Sequence, residues 1–244
     1  MNAIETKNLT KRYKTKTAVS GLSLAVREGE LFALLGVNGA GKTTTIRMLS
    51  CLSKPSDGEC YVCGHNCITE QSAVKGLIGI SPQDTAVAEN LTVLENLRLM
   101  CGIYGYSPEK TKQRINEMIT LFKMNEVANS RAKTLSGGWK RKLSIAMALI
   151  SEPKVLFLDE PTLGLDVLAR RELWSVVEEL KAKITIVLTT HYMEEAEALS
   201  DRIAIMIDGN LAALGTLSEL EVQSGESGLE NVFVKIAGEF GKGA

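Results

Sequence analysis

Long apolar runs are absent from this sequence. The longest candidates, LSIAMALI (143–150) and ITIVLTT (184–190), fall well short of the roughly 18 residues that a bilayer-crossing helix needs, so the chain is expected to be soluble by itself. An excess of charge is absent too: 28 Lys and Arg stand against 29 Asp and Glu, a formal net charge of -1. No overall field would draw in nucleic acid or an anionic membrane, so nucleic acid is not expected as a partner. Five cysteines make no even disulfide framework, and MNAIETKNLTKRY lacks the apolar core of a secretory signal, so a reducing cytosol is the natural setting. What is present is ordinary globular composition: 244 residues, 45% hydrophobic and 23% charged, enough for one large domain or two modest ones.

Short apolar runs rich in branched residues read as buried strands: LFALL (31–35), LIGIS (77–81), VLFLD (155–159), TIVLT (185–189) and RIAIMI (202–207). Helical patterns alternate with several of them, which predicts an α/β fold with a mainly parallel sheet covered on both faces. At the amino end, IETKNLTKRY and LSLAVREGE read as antiparallel strands joined by a glycine-containing turn, with GECYV a further strand beside them. Between Asp84 and Ser151 the strand signal stops. TVLENLRLMCGIYG, SPEKTKQRINEMITLFKM and GWKRKLSIAMALI read there as three helices, the second opening at Ser107-Pro108. Ser227 and Glu230 have capping-box spacing ahead of a short final helix.

GVNGAGKT (36–43) follows the strand LFALL and opens the helix TTTIRMLSCL, so the full G-x-x-x-x-G-K-[ST] pattern stands in its strand-loop-helix context. Backbone N–H groups of such a loop cradle phosphates, Lys42 would reach the β and γ phosphates, and Thr43 would hold Mg²⁺. KVLFLDEP runs an apolar strand into two carboxylates. Beside a phosphate loop, Asp159 would contact Mg²⁺ through its water shell and Glu160 would act as general base. His191, one of only two histidines, lies just past TIVLT. Gln83, in SPQD after LIGIS, is a candidate ligand of Mg²⁺ or its water. All these residues follow strands of one parallel sheet, at whose carboxyl edge ligands bind.

LSGGWKRKLSIAMALI (135–150) sets two glycines ahead of a helix whose first turns carry Lys140, Arg141 and Lys142. The positive end of a helix disfavours exposed cations by roughly 0.3–1 kcal/mol each, so something negative is expected there. Successive helical residues point about 100° apart, so the three cannot all face one phosphate, and at least one is expected to be solvated. CYVCGHNC (60–67) offers three cysteines and His65 on the count of a zinc set. The four crowd into one short stretch rather than two separated pairs, and ordinary small apolar side chains are the expectation.

These motifs resemble those of the nucleotide-binding subunits of ABC transporters over nearly the whole chain. GVNGAGKTT is similar to the Walker A loop, with Asn38, Gly39, Ala40, Gly41, Lys42, Thr43 and Thr44 around the phosphates. SPQD resembles the Q-loop, LSGGW the signature, VLFLDEP the Walker B strand, LGLD the D-loop ending at Asp166, and His191 the switch histidine. Tyr13 resembles the aromatic residue that stacks on adenine. The resemblance implies a P-loop NTPase (RecA-like) core over 1–84 and 151–215 with a small antiparallel β subdomain, an inserted helical subdomain over 85–150 carrying the signature, and a helical tail over 216–244. It further implies two cassettes joined head to tail around two ATP molecules, Ser136, Gly137 and Gly138 of one reaching the γ-phosphate held by the other. The sequence departs from the family at Trp139, where the signature usually has Gln.

The expected function is then an ATPase subunit, cytoplasmic and peripheral on the inner membrane face, driving membrane-spanning permease subunits with a second, identical cassette. The pattern is most similar to bacterial ABC-2-type exporters of drugs, sodium or polysaccharide. A soluble ABC ATPase, such as one serving iron–sulfur cluster assembly, is the alternative. A P-loop GTPase is disfavoured because no N-K-x-D guanine motif occurs.

Overall fold

The computed structural model describes residues 1–181 and 183–240; the last four residues of the expected tail lie outside this range. The chain opens with strands β1 (Asn2–Tyr13) and β2 (Lys16–Arg27), then β3 (Leu31–Leu35), helix α1 (Lys42–Leu49), β4 (Asp57–Val62), β5 (His65–Asn66), α2 (Gln71–Leu77) and β6 (Ile78–Ser81). Three helices follow, α3 (Val93–Ile103), α4 (Pro108–Leu121) and α5 (Gly137–Leu149). Thereafter come β7 (Val155–Asp159), α6 (Val167–Lys181), β8 (Thr185–Thr190), α7 (Met193–Leu199), β9 (Arg202–Ile207), β10 (Asn210–Gly215), α8 (Leu217–Ser224) and α9 (Leu229–Phe240).

Two sheets result. An antiparallel sheet has the order β2-β1-β4-β5, and a larger one the order β10-β9-β3-β8-β7-β6, parallel from β9 to β6 with antiparallel β10 at its edge. Alternation along β3 shows how one strand serves several layers. Phe32 and Leu34 pack toward the antiparallel sheet and α1, Leu31 joins the cluster under the inserted helices, and Ala33 with Leu35 face the carboxyl-terminal helices. Each fully buried side chain of this size contributes about 1.5–3 kcal/mol. Helix α5 is buried along most of its length and crosses β6 so closely that a Cβ at Gly79 would lie 2.4 Å from the Ala148 carbonyl oxygen, which requires glycine there.

The expected helix starts hold where local chemistry decides them. Ser107 caps α4, with Pro108 at its first position, and Thr92 with Glu95 forms a full capping box on α3. Two expectations need correction. The β1–β2 turn contains no glycine: the chain reverses at Lys14-Thr15, with Lys14 at φ 44°. Gly21 instead lies inside β2 at φ 60°, where the ladder shifts register, because an inserted residue in that conformation strains any side chain. Helix α9 forms without the Ser227 cap. Leu229 N–H donates to Glu197 of α7 at 3.4 Å, and Ser227 supplies its carbonyl to the Asn231 amide, since α9 is packed on α7 and entered through Gly228 at φ 79°.

Candidate functional site

Because β3, β8, β7 and β6 are parallel and adjacent, the loops after them open at one edge. The loop after β3 is shaped by glycine: Gly41 sits at φ 101°, and a Cβ on it would come within 2.5 Å of the Ala18 carbonyl oxygen. Lys42, 5% exposed, folds back over this loop; its Nζ donates to the carbonyls of Gly36 (2.7 Å) and Val37 (3.3 Å) and lies 3.2 Å from Glu160 Oε1. Thr43 Oγ1 donates to Asp159 Oδ1 at 3.0 Å.

Asp159 and Glu160 end β7 and are both buried. Glu160 holds φ 50°, a left-handed conformation that costs a residue with a side chain roughly 1–2 kcal/mol. Thr189 on the neighbouring strand offsets that cost, accepting from Glu160 N–H through its carbonyl (3.1 Å) and its hydroxyl (3.0 Å). The same hydroxyl donates to Asp159 Oδ1 at 2.5 Å. Glu160 Oε2 meets His191 Nδ1 at 2.5 Å, so one carboxylate stands between a lysine and an imidazole. Thr189 drew no attention in the sequence; a hydroxyl at the end of an apolar strand, paired with Asp159 in register, is the signal that marks it.

One cleft of about 410 Å³ is lined by Tyr13, Lys16, Ala18, Asn38, Gly39, Ala40, Gly41, Lys42, Thr43, Thr44, Gln83 and Glu160. It brings together the Walker-like loop, the aromatic and the glutamine, with Asp159 one hydrogen bond away through Thr43 and His191 one away through Glu160. Tyr13 is 45% exposed, with Lys11 Nζ 5.1 Å from its ring centroid. Ser136, Gly137, Gly138 and Asp166 do not line the cleft. They gather elsewhere: Ser136 caps α5 by accepting from Trp139 N–H, Asp166 accepts from Ala169 N–H at the start of α6, and a Cβ on Gly138 would meet that of Ala169 at 3.2 Å. Ser136 and Gly137 are exposed.

The cation run after the signature is answered inside the chain, two of its members by carboxylates, so none of the three is merely solvated, contrary to what the sequence suggests. Lys140 pairs with Glu89 at 3.1 Å. Arg141 is buried on the carbonyls of Pro82 and Gln83. Lys142 pairs with Glu172 at 2.6 Å and lies 4.5 Å from the centroid of the Trp139 ring. Residues 100° apart find three separate partners around α5. Behind the cleft, Glu195 of α7 is buried; Trp174 Nε1 donates to its Oε1 at 3.2 Å while Oε2 has no partner among the described residues. Burial first, and the nearby Glu160 second, push this carboxyl above its usual range.

Cys60 and Cys67 are packed in the core, the Cys67 thiol donating to the Leu49 carbonyl. Among the described residues no three of His, Cys, Asp and Glu are placed to hold a metal ion. The donors Thr43, Asp159 and Gln83 are a hydroxyl, one carboxylate and an amide, a hard-oxygen set that suits Mg²⁺ retaining waters and phosphate ligands.

A family profile described as "ABC transporter" matches residues 19–163. The chain belongs to this family. Among ABC transporter relatives, the daunorubicin/doxorubicin resistance ATP-binding protein DrrA of Streptomyces peucetius is 42% identical over 226 residues, covering 92% of this chain and 68% of the relative. The human phospholipid-transporting ATPase ABCA3 is 42% identical over 217 residues, 87% of this chain but only 13% of its own length. Among solved ABC structures, an ATP-binding cassette dimer in a post-hydrolysis state with ADP and Pi superposes with a TM-score of 0.79 at 28% identity, over 88% of this chain and 98% of that one. The architecture is that of an ABC ATPase domain, a P-loop NTPase core with its antiparallel sheet and added helices.

Proposed function

We propose that this chain is the ATP-binding and ATP-hydrolysing subunit of an ABC exporter. The observation that carries the reading is the convergence of Lys42, Thr43, Asp159, Glu160 and His191 on one cleft edge that also holds Tyr13 and Gln83. Adenine stacks on Tyr13, and the loop amides and Lys42 take the phosphates. Thr43, Asp159 and Gln83 would hold Mg²⁺, which when bound neutralises charge on the phosphates. Glu160 accepts a proton from water as the water oxygen attacks the γ-phosphorus and ADP leaves, and His191 orients that carboxylate.

Ser136, Gly137 and Gly138, outside the cleft of their own chain, serve the cleft of a second copy, with Asp166 beside them at the seam. The dissociated state is the resting one, and ATP closes the pair by binding the closed state better. The resemblance to DrrA supports drug-type export over the soluble cluster-assembly reading. Docking of a permease is supported by a groove of about 350 Å³ between Leu52, Ile80, Pro82, Met100, Tyr104 and Met147, where Leu52 is 61% exposed and the Gln83 loop begins. No helix among the described residues is long and apolar enough to cross a membrane, so the permease would supply the span and hold this subunit at the inner face. The division of labour follows: 1–84 and 151–215 bind nucleotide, 85–150 presents the signature and docking surface, and the described part of the tail, 216–240, packs behind the sheet.

The test is purification of the native complex through a tag on this chain. A polytopic membrane protein at near equal ratio, with ATP turnover, is the expected result. A soluble partner alone would move the work to the cytosol and overturn the export reading.

A further inference from the structure

Arg141 is 5% exposed, yet no carboxylate lies within ion-pair distance of it among the described residues. Its guanidinium spends two N–H groups on consecutive backbone oxygens, Nη1 to the Pro82 carbonyl at 2.7 Å and Nη2 to the Gln83 carbonyl at 2.6 Å. A planar fork is suited to two neighbouring acceptors, and a lysine, with a point charge, is not. Burial disfavours its charge, while Asp159, Asp84 and Glu195 lie near enough to oppose that.

The two bonds matter because of what they hold. Beyond Ser81 the chain has left the sheet, and among the described residues no other hydrogen bond ties residues 82–87 to the rest of the chain. Gln83 lines the nucleotide cleft, and its side-chain amide makes no hydrogen bond among the described residues. One turn further along the same helix, Ser144 Oγ meets Ser81 Oγ at 2.9 Å, so α5 grips the end of β6 and, separately, the loop after it.

We infer that Arg141 is a positioning residue for the nucleotide site: from the helix that begins with the signature, it sets the backbone of Pro82 and Gln83 and thereby aims the Gln83 side chain into the cleft. The inference rests on the ATP-binding reading above. It makes α5 a single rigid member whose amino end serves one nucleotide and whose second turn adjusts the ligand set of another.

The test compares ATP affinity of the full chain with Mg²⁺ and in EDTA, for the wild type, Arg141→Met, Arg141→Lys, Gln83→Ala and the double variant Arg141→Met/Gln83→Ala. Arg141→Met should weaken MgATP binding by about tenfold, the loss of one hydrogen bond to a charged group, and leave affinity in EDTA unchanged. Gln83→Ala should do the same, the double variant should lose no more than either, and Arg141→Lys should fall between. Limited proteolysis within residues 82–87 should quicken in Arg141→Met, because those two bonds tether that stretch. Ser144→Ala, which frees the strand end but not the loop, should leave both readouts as in the wild type. Losses that add in the double variant, or that appear equally in EDTA, would overturn the positioning role while ATP binding stands. A wild-type chain that binds ATP in neither condition would instead bring down the ATP-binding reading, and the inference with it.

Discussion

After β3, Lys42 is buried against two carbonyls and a glutamate; at the start of α5, Ser136 and Gly137 are exposed, and a side chain added at Gly137 would meet nothing. Both are glycine-led helix starts, yet they differ: Gly41 is left-handed and pressed on Ala18, whereas Gly137 has ordinary backbone and open space. A glycine that its own chain does not require marks a place where something outside approaches closely. The contrast is the one that the proposed two-copy arrangement requires, one half-site occupied from within and the other presented.

Glu160→Gln should break the first half most severely, cutting ATP turnover by roughly 10²–10⁴-fold while phosphate binding survives, so that a stable dimer accumulates with ATP. Light scattering that shows monomer at saturating ATP would count against the two-copy arrangement. Lys42→Ala comes next, with ATP binding weakened by about a hundredfold and dimer formation lost together, as titration calorimetry would show. Ser136→Arg sharpens the comparison, because it should leave the monomer's ATP affinity unchanged and still prevent closure. Weakened binding to the monomer would place Ser136 in its own chain's site instead.

The smallest effect concerns stability. The Glu195 carboxyl, raised by burial, is protonated in folded and unfolded chains alike at low pH; as pH rises the unfolded chain ionises first, so stability falls through the folded group's own titration. Glu195→Gln should flatten that decline and raise the melting temperature at pH 8 by about 2–4 °C, the scale of 1 kcal/mol in a chain of this size. An unchanged pH profile of melting would show that Glu195 does not set it.

The strands and the phosphate loop were legible because their signals are local: LFALL, VLFLD and TIVLT are apolar runs that end in functional residues, and GVNGAGKT contains its own spacing. Parallel order then follows from helices between strands, and with it the shared edge of Lys42, Glu160, Gln83 and His191. Contacts between distant residues were not legible. Nothing near Arg141 in the sequence announces that its partners are the backbone oxygens of residues 82 and 83, because carbonyls carry no residue-type signature. Thr189 and Trp174 acquire their roles only when strand and helix bring them to Asp159 and Glu195. Gly21 was read as a turn since glycine favours both turns and bulges, and only the register of β1 against β2 distinguishes them. The short β5 and the strand β10 escaped notice, the first too brief for any periodicity and the second marked by only two leucines in NLAALG.

The Lys42–Glu160 contact carries one last consequence. The lysine sits 3.2 Å from the very carboxylate proposed to accept a proton from water. On the proposed reading, an arriving triphosphate would compete for the lysine and leave that carboxylate facing His191. The fuel itself would then release the safety catch.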